Sequence, residues 1–418
     1  MLDLDTLVGE MHRRAADVVR SAAQGVRLRD LARQQLAVAA ALPRLRDSVL
    51  GFGRDMAVPL ADRKLDAVLL PPPAPDYTVI ATDGSQVAPD YHHIAPWGVI
   101  NAGCAVFRYG PPPGRARCRL DSLPRLLAPG PGPIAEPQEE LEEESEADAL
   151  AAAGATSSRL EAARLTAELE LAVQLVEEEA DPGRTVLLLD GPLVQWRMLT
   201  ALKGADQDQV RGAFQRLVQV ARRREVGLAG YISRSRAVEW VTLLRFSLCP
   251  EVQGGGSLCT VCRSGLLSGY AAPAPGAHHA GLAGLRDIDL ARAVLLPGER
   301  SRTEVVELKS ATWDTLSGGE SRAGFFYLDT GIEIARVELT SWTWEKPSAL
   351  EHLHGVLADQ CEVGAGYPLA LAEAHEAAVV RAADREMFYT VLERVLNDHG
   401  VVAPERSAKG ESKRRPQA

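Results

Sequence analysis

Tyr77-Thr78-Val79-Ile80-Ala81-Thr82-Asp83-Gly84-Ser85 is the stretch on which the reading of the fold turns. A short apolar and β-branched run meets Asp-Gly-Ser, which predicts a strand ending at a turn. Two more apolar runs follow closely, Ile94 to Ile100 and Cys104 to Tyr109, at the spacing of an antiparallel meander. Further on, Thr185-Val186-Leu187-Leu188-Leu189-Asp190-Gly191 repeats the pattern of a buried strand closing on Asp-Gly. Between them, Ser157 to Glu179 carries Leu160, Leu165, Leu169, Ala172 and Val176 at helical spacing. Strands alternating with helices predict an α/β protein, a mixed central sheet flanked by helices.

Working outward, Ala205 to Val226 reads as an amphipathic helix, Val226 to Ile232 as a strand and Arg236 to Phe246 as a helix. Phe325 to Leu328 and Ile332 to Leu339 read as a hairpin around Asp329-Thr330-Gly331, and Leu369 to Leu396 as one long helix. Residues 1–60 read as helical, with Leu4, Leu7, Val8, Met11, Ala15, Val18 and Val19 on one apolar stripe. Pro71-Pro72-Pro73-Ala74-Pro75 interrupts regular structure. The expected organisation is a helical arm with a Pro-rich linker over 1–70 and a main domain over 75–398. That domain carries insertions at about 110–152 and 249–285, and a disordered tail follows over 402–418.

Composition narrows the class. With 46% apolar and 24% charged residues in 418, chain-wide disorder is excluded. No apolar run reaches the roughly 18 residues needed to cross a bilayer, so no membrane role is expected. Met1-Leu2-Asp3-Leu4-Asp5 places acids where a secretion signal needs bases, which predicts a cytoplasmic protein. The net charge of −10 argues against nucleic acid only at first sight. Glu136 to Asp148 holds eight acids and no base, and without that run 46 bases face 48 acids.

The two Asp-Gly sites carry the chemistry. Either aspartate alone reads as a turn former. Two of them, each closing a buried-looking strand, point to carboxylates presented at the edge of a sheet. Phosphodiester cleavage by divalent ions needs several oxygen ligands converging from different elements. The third acid is sought on the preceding helix, where Glu168 borders the apolar face and Glu170 is the alternative. His375 shares a helical face with Leu371, Ala378, Val379 and Ala382, and Tyr367 stands eight residues before it. Ser233 and Arg234, between a strand and a helix, suit a phosphate.

Six cysteines are too sparse for a disulfide scaffold. Cys259-Thr260-Val261-Cys262 has the spacing of half a structural Zn²⁺ site, with Cys249 or Cys361 as candidates for completion, but no second close pair is present and the adjacent His278-His279 suit a tetrahedral chelate poorly, so bound zinc is not the expectation. No Gly-Lys-Ser/Thr phosphate loop is present.

Taken in order, these segments resemble the NurA nuclease family. The matching pieces are Ala81-Thr82-Asp83-Gly84-Ser85-Gln86, a helix with Arg164 and Glu168, and Leu187-Leu188-Leu189-Asp190-Gly191. They continue with Gly230-Tyr231-Ile232-Ser233-Arg234-Ser235, Pro297-Gly298-Glu299-Arg300-Ser301 and Ile334-Ala335-Arg336-Val337-Glu338. The last runs from Gly366-Tyr367-Pro368-Leu369 to Glu373-Ala374-His375. The resemblance implies a ribonuclease H-like core and a Mn²⁺-dependent nuclease acting on DNA, with Mg²⁺ as the alternative ion. It implies a 5′–3′ exonuclease or single-strand endonuclease, a homodimer, and work beside a HerA-type hexameric ATPase in end resection and repair. Carried across, Asp83, Glu168, Asp190 and His375 would hold metal, Tyr367 would stand beside them, and Ser233 and Arg234 would contact DNA phosphate. Asp190-Gly191-Pro192 departs from the family's Asp-Gly-Ser, and Arg234 stands where the family often has lysine. A second reading is a catalytically silent adaptor of the hexameric ATPase that binds or guides DNA, docking through the stripe of residues 4–19. A third is a zinc-stabilised DNA-binding module.

Overall fold

The computed structural model describes residues 3–40, 44–52, 56–60, 66–71, 75–89, 97–110, 117–127, 146–193, 202–267, 284–296 and 300–400, with Leu42, His278 and Leu282 between them. The strands are β1 (Met56–Val58), β2 (Ala67–Leu69), β3 (Tyr77–Val87), β4 (Gly98–Tyr109), β5 (Cys118–Leu127) and β6 (Thr185–Asp190). They continue as β7 (Gly227–Ile232), β8 (Ser301–Thr303), β9 (Val306–Lys309), β10 (Ala323–Asp329) and β11 (Ile334–Thr340). Together they make one mixed sheet in the order β1-β9-β10-β11-β7-β6-β3-β4-β5, with β8 bridging β2 to β10. β3, β6 and β7 run parallel, and the flanking pairs are antiparallel. The helices that build and support the site are α1 (Leu4–Ala40), α2 (Glu146–Glu179), α3 (Gly204–Arg223), α4 (Glu239–Ser247) and α5 (Asp287–Val294). They are followed by α6 (Pro347–Val363), α7 (Leu369–Ala378) and α8 (Ala382–Asp398).

Parallel central strands are covered on both faces, and their sequences read as unbroken apolar runs for that reason. Alternate residues feed two cores. Ile80, Leu187 and Leu189 pack with α2, α3 and α4, whereas Val79, Ala81, Val186 and Leu188 pack with α6 and α7. The α/β expectation, a mixed sheet flanked by helices, is met.

Several local expectations give way. β3 does not stop at Asp83-Gly84 but runs on to Val87, paired with β4 throughout, including Asp83 opposite Gly103. The Asp-Gly here is strand, because the neighbouring strand supplies hydrogen-bond partners along its full length. The runs expected as separate strands belong to a single β4 from Gly98 on, while Ile94 to Pro96 lie outside the described residues. The third strand of the meander is β5, inside the stretch expected as an insertion. β5 escapes a reading by apolarity because it is a mostly exposed edge strand, rich in Arg119, Asp121, Ser122 and Arg125. Arg119 ties it to Glu178 and Glu179 of α2 at 3.1 and 3.0 Å.

The segment expected as a helical arm ends in β1 and β2, which pair with β9 and β8 and so join the sheet. Ala32, Leu36 and Ala39 of α1 are buried, while Leu4, Val8 and Met11 are exposed. The expected long helix over Leu369–Leu396 is two, α7 and α8, separated at Val379-Val380-Arg381. Val379 is extended, and Asp384 accepts the N–H of Arg381 to start α8 afresh. Residues 249–285 include short helices at Pro250–Gln253 and Thr260–Leu267, with Cys249, Val252 and Cys262 in the core. The acidic run up to Ser145, Pro72 to Ala74, Pro297 to Glu299 and the expected tail lie outside the described residues.

Candidate active site

Asp83 and Asp190 come together through strand register. Thr82 of β3 pairs with Leu189 of parallel β6, so the next residue on each strand is an aspartate. Neighbours at one step of a parallel ladder point to the same face. That is the face covered by α7, since Ala81 and Leu188, two positions before each aspartate, pack into the α7 core. β6 ends at Asp190, where Gly191 takes φ +97° and its N–H bonds to the Tyr231 carbonyl at 2.8 Å. Here Asp-Gly does mark a turn, as it does not at Asp83.

α7 sets His375 above Asp83. It lies directly on Gly103, where an added Cβ would stand 2.3 Å from the Ala378 nitrogen and 2.6 Å from the Ala374 carbonyl oxygen. Asn101 donates to the carbonyls of Ala377 and Ala378 at 3.2 and 2.8 Å and holds the end of the helix to β4. The result is His375 Nδ1 at 2.7 Å from Asp83 Oδ2, while Asp83 Oδ1 accepts the Gly84 N–H at 2.7 Å. The imidazole is 63% exposed, so it stands at the mouth of the site.

Glu168 arrives from the other face of the sheet. α2 packs against Gly84, where a Cβ would meet Arg164 Cγ at 3.0 Å and Glu168 Oε2 at 3.4 Å. The missing side chain lets the helix approach the strand. Arg164 Nη1 donates to the Gly84 carbonyl at 3.2 Å and to Glu168 Oε2 at 3.4 Å. Burial pushes the Glu168 carboxyl up to about 8, against the pull of Arg164 and with a further push from Asp83 and Asp190. Asp190 is also raised by burial and by Asp83, although the Tyr367 hydrogen bond holds it down. The three acids therefore feel one another's charge with one guanidinium among them. Glu170, the alternative third acid, turns away to Arg125 and Arg216 at 3.2 and 3.5 Å.

Tyr367 donates its hydroxyl to Asp190 Oδ1 at 3.1 Å, and its ring stands edge-on to Tyr231 at 5.3 Å. Burial and the nearby Asp190 raise its phenol well above the usual value, so it stays a donor. Ser233 and Arg234 do not join this cluster. Ser233 donates to Glu333 Oε2 at 2.6 Å, and Tyr231 donates to Glu333 Oε1 at 3.0 Å. Arg234 is exposed in a turn with φ +49°, a conformation few residues other than glycine adopt. The helix expected at Arg236 begins at Glu239. Glu333, in the β10–β11 loop, was not singled out by sequence pattern. Its neighbours Thr330 and Gly331 read simply as a turn.

The donor set, three carboxylates and one imidazole from both faces of a sheet, fits a hard divalent cation that tolerates nitrogen. The buried negative charge, with Arg164 as its paired cation, is what such an ion would offset.

No curated protein matches the chain. It is similar to the crystal structure of the NurA nuclease from Sulfolobus solfataricus, at 13% identity over 96% of this chain and 98% of that chain, with a TM-score of 0.48. A crystal structure of NurA with manganese aligns at 10% identity over 79% and 90% of the two chains, with a TM-score of 0.32. A crystal structure of NurA bound to dAMP and manganese aligns at 11% over 90% and 95%, with a TM-score of 0.34. The family model for the NurA domain matches residues 77–380, well over half of the sequence, and the chain belongs to the NurA nuclease family.

Proposed function

We propose that this chain is a metal-dependent deoxyribonuclease whose working groups are Asp83, Glu168, Asp190 and His375, with Tyr367 beside them. The observation that carries the reading is the parallel register that sets Asp83 and Asp190 side by side, facing a buried Glu168. Oxygen donors with one imidazole favour Mn²⁺, with Mg²⁺ as the substitute. Such an ion, when bound, lowers the pKa of a coordinated water and neutralises charge on the phosphate. The chain's own groups prepare the place. Arg164 fixes Glu168 against the Gly84 carbonyl. Tyr367 holds one oxygen of Asp190 and so fixes the carboxylate's orientation. His375 and Asp83 orient each other. The exposed Arg234 guanidinium and the Ser233 hydroxyl would take a neighbouring DNA phosphate.

In this reading β5-β4-β3-β6-β7, a meander whose first strand is parallel to two crossover strands, is a ribonuclease H-like core. The domain runs over 75–398. The chain works as a cytoplasmic homodimer beside a HerA-type ATPase in DNA end resection, cutting as a 5′–3′ exonuclease or single-strand endonuclease. The exposed Leu4, Val8 and Met11 of α1 would suit docking to such a partner. They are equally what a silent adaptor would use. Cleavage of end-labelled DNA separates the two. The nuclease reading expects Mn²⁺-dependent cutting, lost by more than about 100-fold in Asp190→Ala, the upper range for losing even an outer partner of a metal. Intact DNA under every divalent ion, with ATPase binding retained, would favour the adaptor.

A further inference from the structure

Outside the acidic centre, Cys249, Cys259 and Cys262 bring their sulfur atoms within 4.8 Å of one another. Cys249 follows α4, and Cys259 and Cys262 flank the start of the helix Thr260–Leu267. Cys249 and Cys262 are fully buried and Cys259 is partly open to solvent. The sulfurs are met by backbone donors. The Cys259 N–H points at the Cys249 sulfur and the Cys262 N–H at the Cys259 sulfur, each at 3.4 Å. The backbone N–H of His278 is directed at the sulfur of Cys262.

Donors aimed at sulfur favour the thiolate form, which is the metal-binding form. The N–H groups of Cys259, Val252 and Glu251 are all directed at the Cys249 sulfur. A tetrahedral ion with bonds of about 2.3 Å sets sulfurs roughly 3.8 Å apart, inside the 4.8 Å within which the three already lie. Cys361, the other candidate for completion, lies instead on the buried face of α6, in the core on the other side of the sheet, and interacts with Tyr231.

We propose that Cys249, Cys259 and Cys262 form a structural zinc site, its fourth position filled from the solvent side by His278 or a water. Zinc matches three thiolates in a partly buried corner, where a hard ion such as Mn²⁺ would not compete. It would tie the segment from Cys249 to Leu267 to α4 without entering the phosphodiester chemistry.

The test is metal analysis and cobalt substitution on the full chain purified under reducing conditions. One zinc per chain that resists mild chelation is expected. Replacement by Co²⁺ should give a sulfur-to-cobalt charge-transfer band and the visible bands of a tetrahedral site. Cys259→Ser should lose at least half of that band, Cys361→Ser should keep it, and Asp190→Ala should keep it too, so the outcome is independent of the nuclease centre. The wild-type spectrum needs no variant to fold. A cobalt-loaded wild type without the sulfur band, a band that survives Cys259→Ser, or a disulfide among the three cysteines in the reduced preparation would overturn the assignment.

Discussion

Two acid clusters among the described residues, each with a fully or nearly buried carboxylate at its heart, are built in opposite ways. In one, Glu168 faces Asp83 and Asp190 with a single guanidinium, Arg164, at 3.4 Å. In the other, on the α4 side of the sheet, Arg336 lies at the centre of Glu239, Glu338 and Asp287 at 3.0, 3.0 and 3.7 Å. Its plane stacks 3.9 Å from the Phe325 ring. Asp287 also accepts the N–H groups of Trp240 and Val241 at 3.0 and 2.8 Å and the Tyr327 hydroxyl at 3.2 Å. There each carboxylate has several donors, and Asp287 caps the start of α4 from another helix. The number of acids does not distinguish a candidate ion site from a staple. What distinguishes them is how far the negative charge is already answered by the protein.

Removing the central cation of the staple gives the largest expected effect. Arg336→Leu leaves three carboxylates without their shared cation and should cost about 3–5 kcal/mol of unfolding free energy, read from denaturant melts. A loss below about 1 kcal/mol would mean that Glu239, Glu338 and Asp287 find other partners, and the contrast would weaken. Next comes Gly103→Ala, which acts on the nuclease centre through packing alone. The new methyl group must lift α7, at a cost of about 1–3 kcal/mol, and should part His375 from Asp83. Cleavage should fall further than stability accounts for. Wild-type activity in a well-folded Gly103→Ala protein would detach His375 from function. The smallest effect is the sharpest discriminator. Burial holds the Glu168 carboxyl protonated below about pH 8, so in metal-free buffer Glu168→Gln should leave the melting temperature unchanged at about pH 6 and raise it by about 1–2 °C at about pH 9, where the wild type carries a poorly compensated charge. Glu338→Gln, made in the staple, should lower it. The same sign for both would erase the difference between the clusters.

These contrasts also mark what could be read from the sequence. Asp83 and Asp190 were legible because each follows an apolar strand run and precedes glycine, although only Asp190 ends its strand. Tyr367 and His375 were legible through their interval, which the start of α7 preserves. Helical period set Glu168 on the border of the apolar face and left Glu170 as the alternative. The decision came from Arg125 and Arg216, residues on a strand and a helix that the period does not bring together. β5 was illegible because an exposed edge strand has no apolar alternation. The α4 cap was hidden because Asp287 lies far along the chain from the N–H groups it accepts. Cys249 and Cys361 were equal on spacing, and burial on different faces of the sheet parted them.

The central claim is that the acids of β3, β6 and α2 assemble to hold a divalent ion. Mn²⁺ binding to the metal-free full chain, followed by the loss of the free-ion electron paramagnetic resonance signal, tests it most directly. The account predicts saturable binding by the wild type, weakened by more than about 10-fold in Asp190→Ala and unchanged in Cys361→Ser. Binding of equal strength in wild type and Asp190→Ala, or none in the folded wild type, would contradict it.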